Sequence, residues 1–340
     1  MPNRSRGMRT LAARAARLAL GLLAATLMPA LLAAGEPAAK VLRIGYLSPH
    51  PAAMDAPRRE AFRHALEELG HRDGGNVAIE YRWAEGELDR QEELAAELVR
   101  LKVDVIVAAG GHPTVRAAKK ATTSVPIVMT IGPDPVAAGL VASSARPGGN
   151  VTGLHTLTAE LGSRRLELLR EILPNLHRVG VLWNPAVPER AEEFKNTETA
   201  ARPLRLAIQS LEVRSAEDLD DRFKAIAKGR AEALVVLWDQ VTAPHRGKIV
   251  EFATRHRLPT MFTKRASVEA GGLVSYGASD EEVFRRAAGY VDRILKGARP
   301  AELPVQAVTR FDLVLNLGAA RALGLMLPPP LLHRADHVIQ

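Results

Sequence analysis

The chain has 340 residues, of which 47% are hydrophobic and 25% are charged, and it contains no cysteine. This composition excludes a disordered or fibrous chain, and the lack of cysteine excludes disulfide bonds, thiolate metal sites, iron–sulfur clusters and cysteine nucleophiles. The formal net charge of +8 would suit a nucleic-acid-binding protein, but much of this excess comes from arginines near the N-terminus.

The N-terminal segment is basic and then apolar. Residues 1–17 contain five arginines and no acid, and apolar and small residues follow as far as Ala34. This order predicts a secretory signal peptide over residues 1–35. An uncleaved anchor remains an alternative, because an apolar stretch of about 17 residues is near the lower limit for a spanning helix. Removing residues 1–35 lowers the net charge from +8 to +3, so the remaining charge gives no electrostatic case for binding nucleic acid. Because of the predicted signal peptide, we expect a periplasmic or otherwise extracytoplasmic protein.

Strand and helix patterns alternate through the part of the chain that follows. In the first half of this part, the pattern predicts strands at 41–47, 77–83, 103–109 and 126–129. It predicts helices between them at 57–69, at 88–101 and from about residue 113. Such a βαβαβα series predicts a parallel sheet with helices on both faces.

The same alternation restarts after the turn signal at residues 146–149. Predicted strands are 150–154, 179–183, 204–213, 233–237, 259–262 and 272–276, with helices at 159–173, 189–201, 216–228 and 244–257. Ser279 and Glu282 have capping-box spacing ahead of another helix, and two β-rich segments and a short helix follow it. Two successive doubly wound units predict an α/β protein with two parallel-sheet lobes, a ligand cleft between them, and hinges near 146–153 and 271–277.

Small, polar and aromatic residues stand at the predicted strand ends. Ligands of open parallel sheets bind at the carboxyl ends of the strands. The strand ends contain Ser48, His50, Gly110 to Thr114, Gly132 to Pro135, Trp183, Asn184, Trp238 to Gln240, Phe262, Thr263 and Tyr276. Trp183 and Trp238 are two of the three tryptophans, and they would supply stacking surfaces. We therefore expect a cleft that closes around a small molecule.

Two of these strand ends suit a zwitterionic ligand. The run Gly110-Gly111-His112-Pro113-Thr114 directly precedes a predicted helix, whose first amide groups and positive dipole end would favour a carboxylate. Asp239, from the other unit, would hold an ammonium group. Both features also have structural alternatives: the glycines form only a tight turn, and Asp239 caps the following helix. Asp134, between two prolines, fits a turn or a helix cap better than a ligand contact.

Catalytic and metal-binding motifs are not found in the sequence. It contains no G-x-G-x-x-G, phosphate-binding loop, G-x-S-x-G or H-E-x-x-H. His333 and His337 are four residues apart in a polar C-terminal segment without a third ligand, which indicates a solvated tail. His50 and His112 stand at strand ends with no evident nucleophile beside them. We expect no enzyme activity, no cofactor and no metal site.

Six segments carry a resemblance to a known family. They are IEYRWAEG at 79–86, DVIVA at 104–108, DPVAAGLV at 134–141, ARPGGNVTGL at 145–154, VLWNP at 181–185 and EAGGLVSYG at 269–277. Through them, nearly all of residues 41–340 resembles the exported substrate-binding proteins of ABC importers, of the tryptophan/tyrosine-type branch. The resemblance implies a type I periplasmic-binding-protein fold with three crossings between the lobes. It places one lobe at 40–154 plus 278–306 and the other at 155–277 plus 307–340.

The resemblance also implies a ligand site and a partner. It implies ligand contacts at Ser48, Gly110, Gly111, Asp134, Asn184, Asp239 and Tyr276, to which the strand ends add His112, Thr114, Trp238 and Phe262. At His112 the family usually has a small hydroxyl residue, and at Trp238 many relatives have a smaller residue or proline. The implied protein is a monomer that binds a small, amino-acid-like molecule and delivers it to an ABC permease. The alternatives are an exported sensor that presents its ligand to a membrane receptor and an exported enzyme.

Overall fold

A computed structural model describes residues 41–87, 89–156 and 158–340. The predicted signal peptide at 1–35 and its alternative, the uncleaved anchor, lie outside the described residues. Among the helices that are described, none is long and apolar enough to cross a membrane.

The first part of the chain alternates five strands and three helices. They are β1 (Leu42–Ser48), α1 (Ala56–Glu68), β2 (Val77–Trp83), α2 (Arg90–Arg100), β3 (Val105–Ala108), α3 (His112–Ala121), β4 (Ile127–Met129) and β5 (Val151–Thr156). The paired strands of this part run parallel, because each helix returns the chain to the end of the sheet where the preceding strand began. The α/β alternation predicted for this part is confirmed.

The second part repeats the alternation and ends in a mixed segment. Its elements are α4 (Thr158–Ile172), β6 (Arg178–Trp183), α5 (Pro188–Ala201), β7 (Ala207–Glu212), α6 (Asp218–Gly229), β8 (Ala233–Val236), α7 (Arg246–Arg255), β9 (Thr260–Phe262), α8 (Arg265–Glu269) and β10 (Val274–Ala278). After them come α9 (Asp280–Leu295), β11 (Gln306–Val308), β12 (Phe311–Asn316), α10 (Leu317–Ala322), α11 (Pro329–Arg334) and β13 (His337–Ile339). The predicted cap of α9 is confirmed, since the Ser279 hydroxyl accepts a hydrogen bond from the Glu282 N–H at 3.5 Å.

The strands form two sheets. The first has the order β11-β5-β4-β3-β1-β2, and the second has the order β13-β12-β10-β9-β8-β6-β7. β12 runs antiparallel to β10, and the other strand pairs of the described residues run parallel. We call the first sheet with α1–α3 and α9 the first lobe, and the second sheet with α4–α8, α10 and α11 the second lobe.

The first sheet is buried on both faces, which explains its nearly continuous apolar strands. Ile44 and Tyr46 pack under Phe284 of α9, whereas Leu47 and Ile106 point to the opposite face and pack against Leu98 of α2. The second sheet likewise has a separate core cluster on each face. Helices on both faces leave the strand ends as the places where loops can meet a ligand.

The chain passes between the sheets after β5, between β10 and α9, and between β11 and β12. The boundary predicted after residue 306 falls inside β11, which pairs with β5 in the first sheet.

The C-terminal segment is solvated at His333 and His337 as predicted, since both are exposed, but it is not an irregular tail. The expected solvated tail contains α11 and the strand β13, which pairs with β12. Leu331 is fully buried in the second lobe, so apolar contacts hold this segment in place.

Candidate ligand-binding cleft

A cavity of about 140 Å³ lies where the strand ends of the two lobes face each other. A cavity of about 150 Å³ holds a benzene-sized molecule, so this one accommodates a single small ligand. The first lobe lines it with Pro49, His50, Arg58, Gln91, Gly110, Gly111, Pro113, Thr114, Ile131, Gly132, Pro133 and Thr156. The second lobe lines it with Leu161, Arg165, Val187, Glu189, Arg190, Glu193, Trp238, Asp239, Gln240, Thr263, Lys264 and Ala278.

The turn between β3 and α3 forms part of the first-lobe wall. Gly111 is the N-cap of α3, and the Thr114 hydroxyl donates to Oε1 of Gln91 at 2.6 Å. A Cβ atom on Gly110 would lie 2.3 Å from Thr114 Oγ1 and 2.8 Å from Pro49 Cδ, so packing itself requires glycine there. The buried Nε2 of Gln91 has no hydrogen-bond partner among the described residues. This wall therefore offers a close backbone approach and one unused donor.

His50 and His112 both belong to the first lobe but occupy different places. His50 lines the cavity, and burial, with a smaller contribution from Arg58, lowers its pKa to about 3, which keeps it neutral near pH 7. His112 is outside the lining, with 2% of its surface exposed. Its Nδ1 lies 3.5 Å from Oε1 of Glu189 in the second lobe, and burial lowers its pKa. His112 therefore contacts the opposite lobe instead of lining the cavity.

Charged side chains of α4 and α5 dominate the second-lobe wall. Glu193 accepts a hydrogen bond from Arg165 Nη1 at 2.5 Å and a second one from Arg190. Arg165 also donates through Nε to the Tyr276 carbonyl at 2.8 Å. Burial alone would raise the pKa of Glu193, but Arg190 and Arg165 outweigh it and hold that pKa below its usual value. One carboxylate thus binds both arginines of this wall.

Asp239 follows β8, and its two carboxyl oxygens differ: one acts as a cap, and the other is placed as a ligand contact would be. Its Oδ1 accepts hydrogen bonds from the N–H groups of Val241 at 2.7 Å and Thr242 at 2.8 Å, which is a cap. Its Oδ2 is buried without a hydrogen-bond partner in the part of the chain that the structure describes. Burial raises the pKa of this carboxyl group, against the opposing effect of the two N–H groups. One oxygen therefore caps the turn and the other remains available to a ligand.

The indole of Trp238 lies beside Asp239 in the cavity lining. Its Nε1 is buried, and within the described ranges no acceptor reaches it. The cavity therefore contains an aromatic surface and a second unused donor.

A cluster of ion pairs adjoins the cavity and joins the lobes. Asp280 of the first lobe lies 3.2 Å from Nε of Arg58 and 2.5 Å from Nζ of Lys264, which belongs to the second lobe. Burial alone would raise the pKa of Asp280, but Arg58 and Lys264 outweigh it and hold that pKa well below its usual value. The charges of Arg58 and Lys264 are therefore already engaged by protein groups.

Five of the sequence-predicted residues line the cavity together: Gly110, Gly111, Thr114, Trp238 and Asp239. The other six lie outside its lining. Three of them make local hydrogen bonds: Ser48 accepts from the His50 N–H, Asp134 from the N–H groups of Val136 and Ala137, and Asn184 from the Ala186 N–H. Phe262 lies in the second-lobe core, and the ring of Tyr276 packs against Phe311. His112 contacts Glu189. As ligand contacts, all eleven remain predictions.

Sequence reasoning missed the charged residues of α4 and α5. Glu189 and Arg190 occupy the first turn of α5, the helix that begins directly after the strand end at Asn184. The first turn of a helix that follows a parallel strand faces the same cleft as the strand end itself. That position is therefore a usable sequence signal for Glu189 and Arg190, as it is for the first turn of α3.

No group of three or more histidine, aspartate or glutamate side chains within the described residues is arranged to hold a metal ion.

Comparison with known proteins gives one family and several relatives. The family model described as "ABC transporter substrate binding protein" matches residues 46–339. A tyrosine-binding protein of Clostridioides difficile (strain R20291) is 26% identical over 286 residues, which cover 84% of this chain and 81% of that protein.

Two solved structures are also similar. An ABC domain from Streptococcus pneumoniae in complex with L-Trp is 24% identical, with a TM-score of 0.80 over 88% of this chain and 100% of that one. The ligand-free, open structure of a substrate-binding protein with adhesive properties from Clostridium difficile is 25% identical, with a TM-score of 0.67 over the same shares.

Proposed function

The chain belongs to the family of ABC transporter substrate-binding proteins, and on this premise we propose that it captures a small amino-acid-like molecule between its lobes and delivers it to an ABC permease. The observation that carries the proposal is the pairing of unused polar atoms across the cleft. Gln91 Nε2, beside the N-terminus of α3, is a buried donor, and Asp239 Oδ2 is a buried acceptor. These atoms match the carboxylate and the ammonium group of an amino acid.

Burial makes this match energetically important. A buried polar atom without a partner costs about 1–3 kcal/mol, and more when it is charged. A ligand that supplies both partners removes this cost, whereas a neutral sugar would leave Asp239 without a counter-ion. The ligands named for the two relatives above, tyrosine and L-Trp, are amino acids and support this class.

We propose that the lobes close on the ligand as hinged bodies. Three crossings join the lobes, and the contact between Lys264 and Asp280 spans them. Closure would be driven by contacts that exist only when both walls touch the ligand.

We further propose that the protein acts as a monomer outside the cytoplasmic membrane, after removal of residues 1–35. The support is the basic head followed by the apolar stretch in the sequence. N-terminal sequencing of the envelope form should give a start between residues 34 and 40, and a start at Met1 would contradict the cleavage.

Native mass spectrometry of freshly purified protein tests the ligand class, because a tightly held molecule remains bound through purification. We expect a co-purifying amino acid, and titration calorimetry with that amino acid should give saturable binding. Small-angle scattering should show a smaller radius of gyration at saturation. A bound sugar, or no binding by any amino acid, would refute the proposed ligand class.

A further inference from the structure

Glu189 is a buried carboxylate in the cavity lining whose charge is only partly compensated. Its side chain is 4% exposed, and its Oε1 lies 3.5 Å from Nη2 of Arg116, which is itself 47% exposed. Its Oε2 is buried and finds no hydrogen-bond partner in the residues that the structure describes. Among the described residues, the cation that contacts Glu189 is thus a half-solvated guanidinium at the limit of hydrogen-bond distance.

The other groups around Glu189 supply less than a full charge, since the N-terminus of α5, whose first turn contains Glu189, contributes only a partial positive charge. His112 contacts the same Oε1, but burial lowers its pKa and keeps the ring neutral near pH 7. Arg190, the next residue on α5, is bound to Glu193, as is Arg165 of α4. An isolated charge in a protein interior is costly, so a charged ligand group is the natural partner for the open oxygen.

Asp239 is a second carboxylate of this kind in the same cavity. It comes from a different element, the end of β8, and its Oδ2 likewise has no partner among the described residues. A ligand with one ammonium group compensates one of the two carboxylates and leaves the other buried and unpaired. Two separate acceptors therefore indicate a ligand with two cationic groups.

We propose that Glu189 forms a second cation subsite, and that the ligand is an α-amino acid whose side chain ends in an ammonium group, as in ornithine or lysine. The inference rests on the proposed function, with Asp239 as the partner of the α-ammonium group. The indole of Trp238 adds a surface that attracts cations.

Calorimetric titration of the wild-type protein with lysine and norleucine tests the subsite directly, because norleucine has the same carbon chain without the ε-ammonium group. Ornithine and norvaline form the shorter matched pair. We expect one diamino acid to bind at least about 30-fold more tightly than its matched control, as removal of one partner of a buried charge pair requires.

Variants then assign the preference to Glu189. In Glu189→Gln the preference should fall below about threefold, because the amide has no charge to pair with the side-chain ammonium group. Asp239→Asn should weaken the diamino acid and its control alike. Glu192→Gln, on the same helix but exposed, should leave both affinities unchanged. Thermal melting of each variant checks that it is folded. The titration of the wild-type protein with the matched amino acids does not depend on any variant.

The outcomes distinguish a failure of the Glu189 subsite from a failure of the proposed amino-acid-binding function. If the wild type binds norleucine or tyrosine as tightly as the diamino acids, the Glu189 subsite is refuted and the amino-acid-binding function stands. The subsite is equally refuted if Glu189→Gln keeps the full preference. If no amino acid binds at all, the proposed function fails together with the inference.

Discussion

The two walls of the cleft differ in the types of residue that line them. The first-lobe wall contains three glycines, three prolines, the uncharged Gln91 and the neutral His50, and its arginine, Arg58, is bound to Asp280. The second-lobe wall carries the carboxylates Glu189 and Asp239 beside two arginines that share Glu193. This difference indicates a division of roles, in which the first lobe sets the shape of the site and the second lobe selects by charge.

The largest expected effect tests selection by the second lobe. Asp239→Asn keeps an oxygen that can cap Val241 and Thr242 but removes the charge that would pair with the ligand ammonium group. We expect a loss of about 2–5 kcal/mol in binding free energy, or about 30-fold to several thousandfold in affinity, by titration calorimetry. Asp218→Asn, at a cap outside the cavity lining, is the control and should not change affinity. A change below threefold at Asp239 would remove it from the site.

The next effect tests shape in the first lobe. Gly110→Ala would place Cβ 2.3 Å from Thr114 Oγ1 and 2.8 Å from a carbon of Pro49, whose ring cannot move away easily. We expect the free energy of unfolding to fall by about 1–3 kcal/mol in urea denaturation. Gly111→Ala meets only Pro113 Cδ at 3.7 Å, so it should cost only the roughly 0.5–1 kcal/mol by which alanine is a poorer N-cap than glycine. Equal losses in the two variants would contradict the packing role assigned to Gly110.

A smaller effect is expected at the contact that joins the walls. Lys264→Gln removes the interlobe ion pair with Asp280, while Asp280 keeps Arg58 within its own lobe. Because Asp280 is about one-third exposed, we expect the free energy of ligand binding to weaken by only about 1 kcal/mol, which is a fivefold loss of affinity. The ligand-free protein should also show a larger radius of gyration in small-angle scattering. Lys224→Gln, whose partner Asp221 lies on the same exposed helix, should change neither quantity.

The smallest expected effect is a pH dependence that Asp239 contributes. Burial raises its pKa above the ordinary value of 3.8, so the folded ligand-free protein holds this proton more tightly than the unfolded chain does. Asp239 therefore destabilises the ligand-free protein at neutral pH, and this penalty declines as the pH falls through the raised pKa. Over the same range the affinity for an ammonium ligand should fall, because the protonated carboxyl group has lost its charge.

Calorimetry and urea denaturation between pH 7 and the onset of acid unfolding can check both trends. Asp239→Asn should remove the Asp239 contribution from each of them. If the variant retains the wild-type dependence on pH, another group is responsible for it.

Much of the fold follows from local patterns. Period-two and period-3.6 spacing, together with Gly and Pro turn signals, predicted the alternation of strands and helices, and the Ser279 cap was found from its spacing to Glu282 alone. The strand β13 was not predicted, because it has three residues and its pairing with the distant β12 gives it no signal of its own.

The sequence by itself determined the two α/β lobes and the strand ends that surround the cavity, because these are properties of short segments and of parallel-sheet geometry. It did not reveal that Glu193 binds two arginines, or that Glu189 lies against His112 and Arg116 of the other lobe. The contact between Arg190 and Glu193 is local, three positions apart on one helix, but the other three join residues 28 to 77 positions apart, across helices and across the cleft. Only tertiary packing decides which charges are neutralised by the protein and which remain for a ligand, since pairing depends on distances between elements that no local pattern encodes.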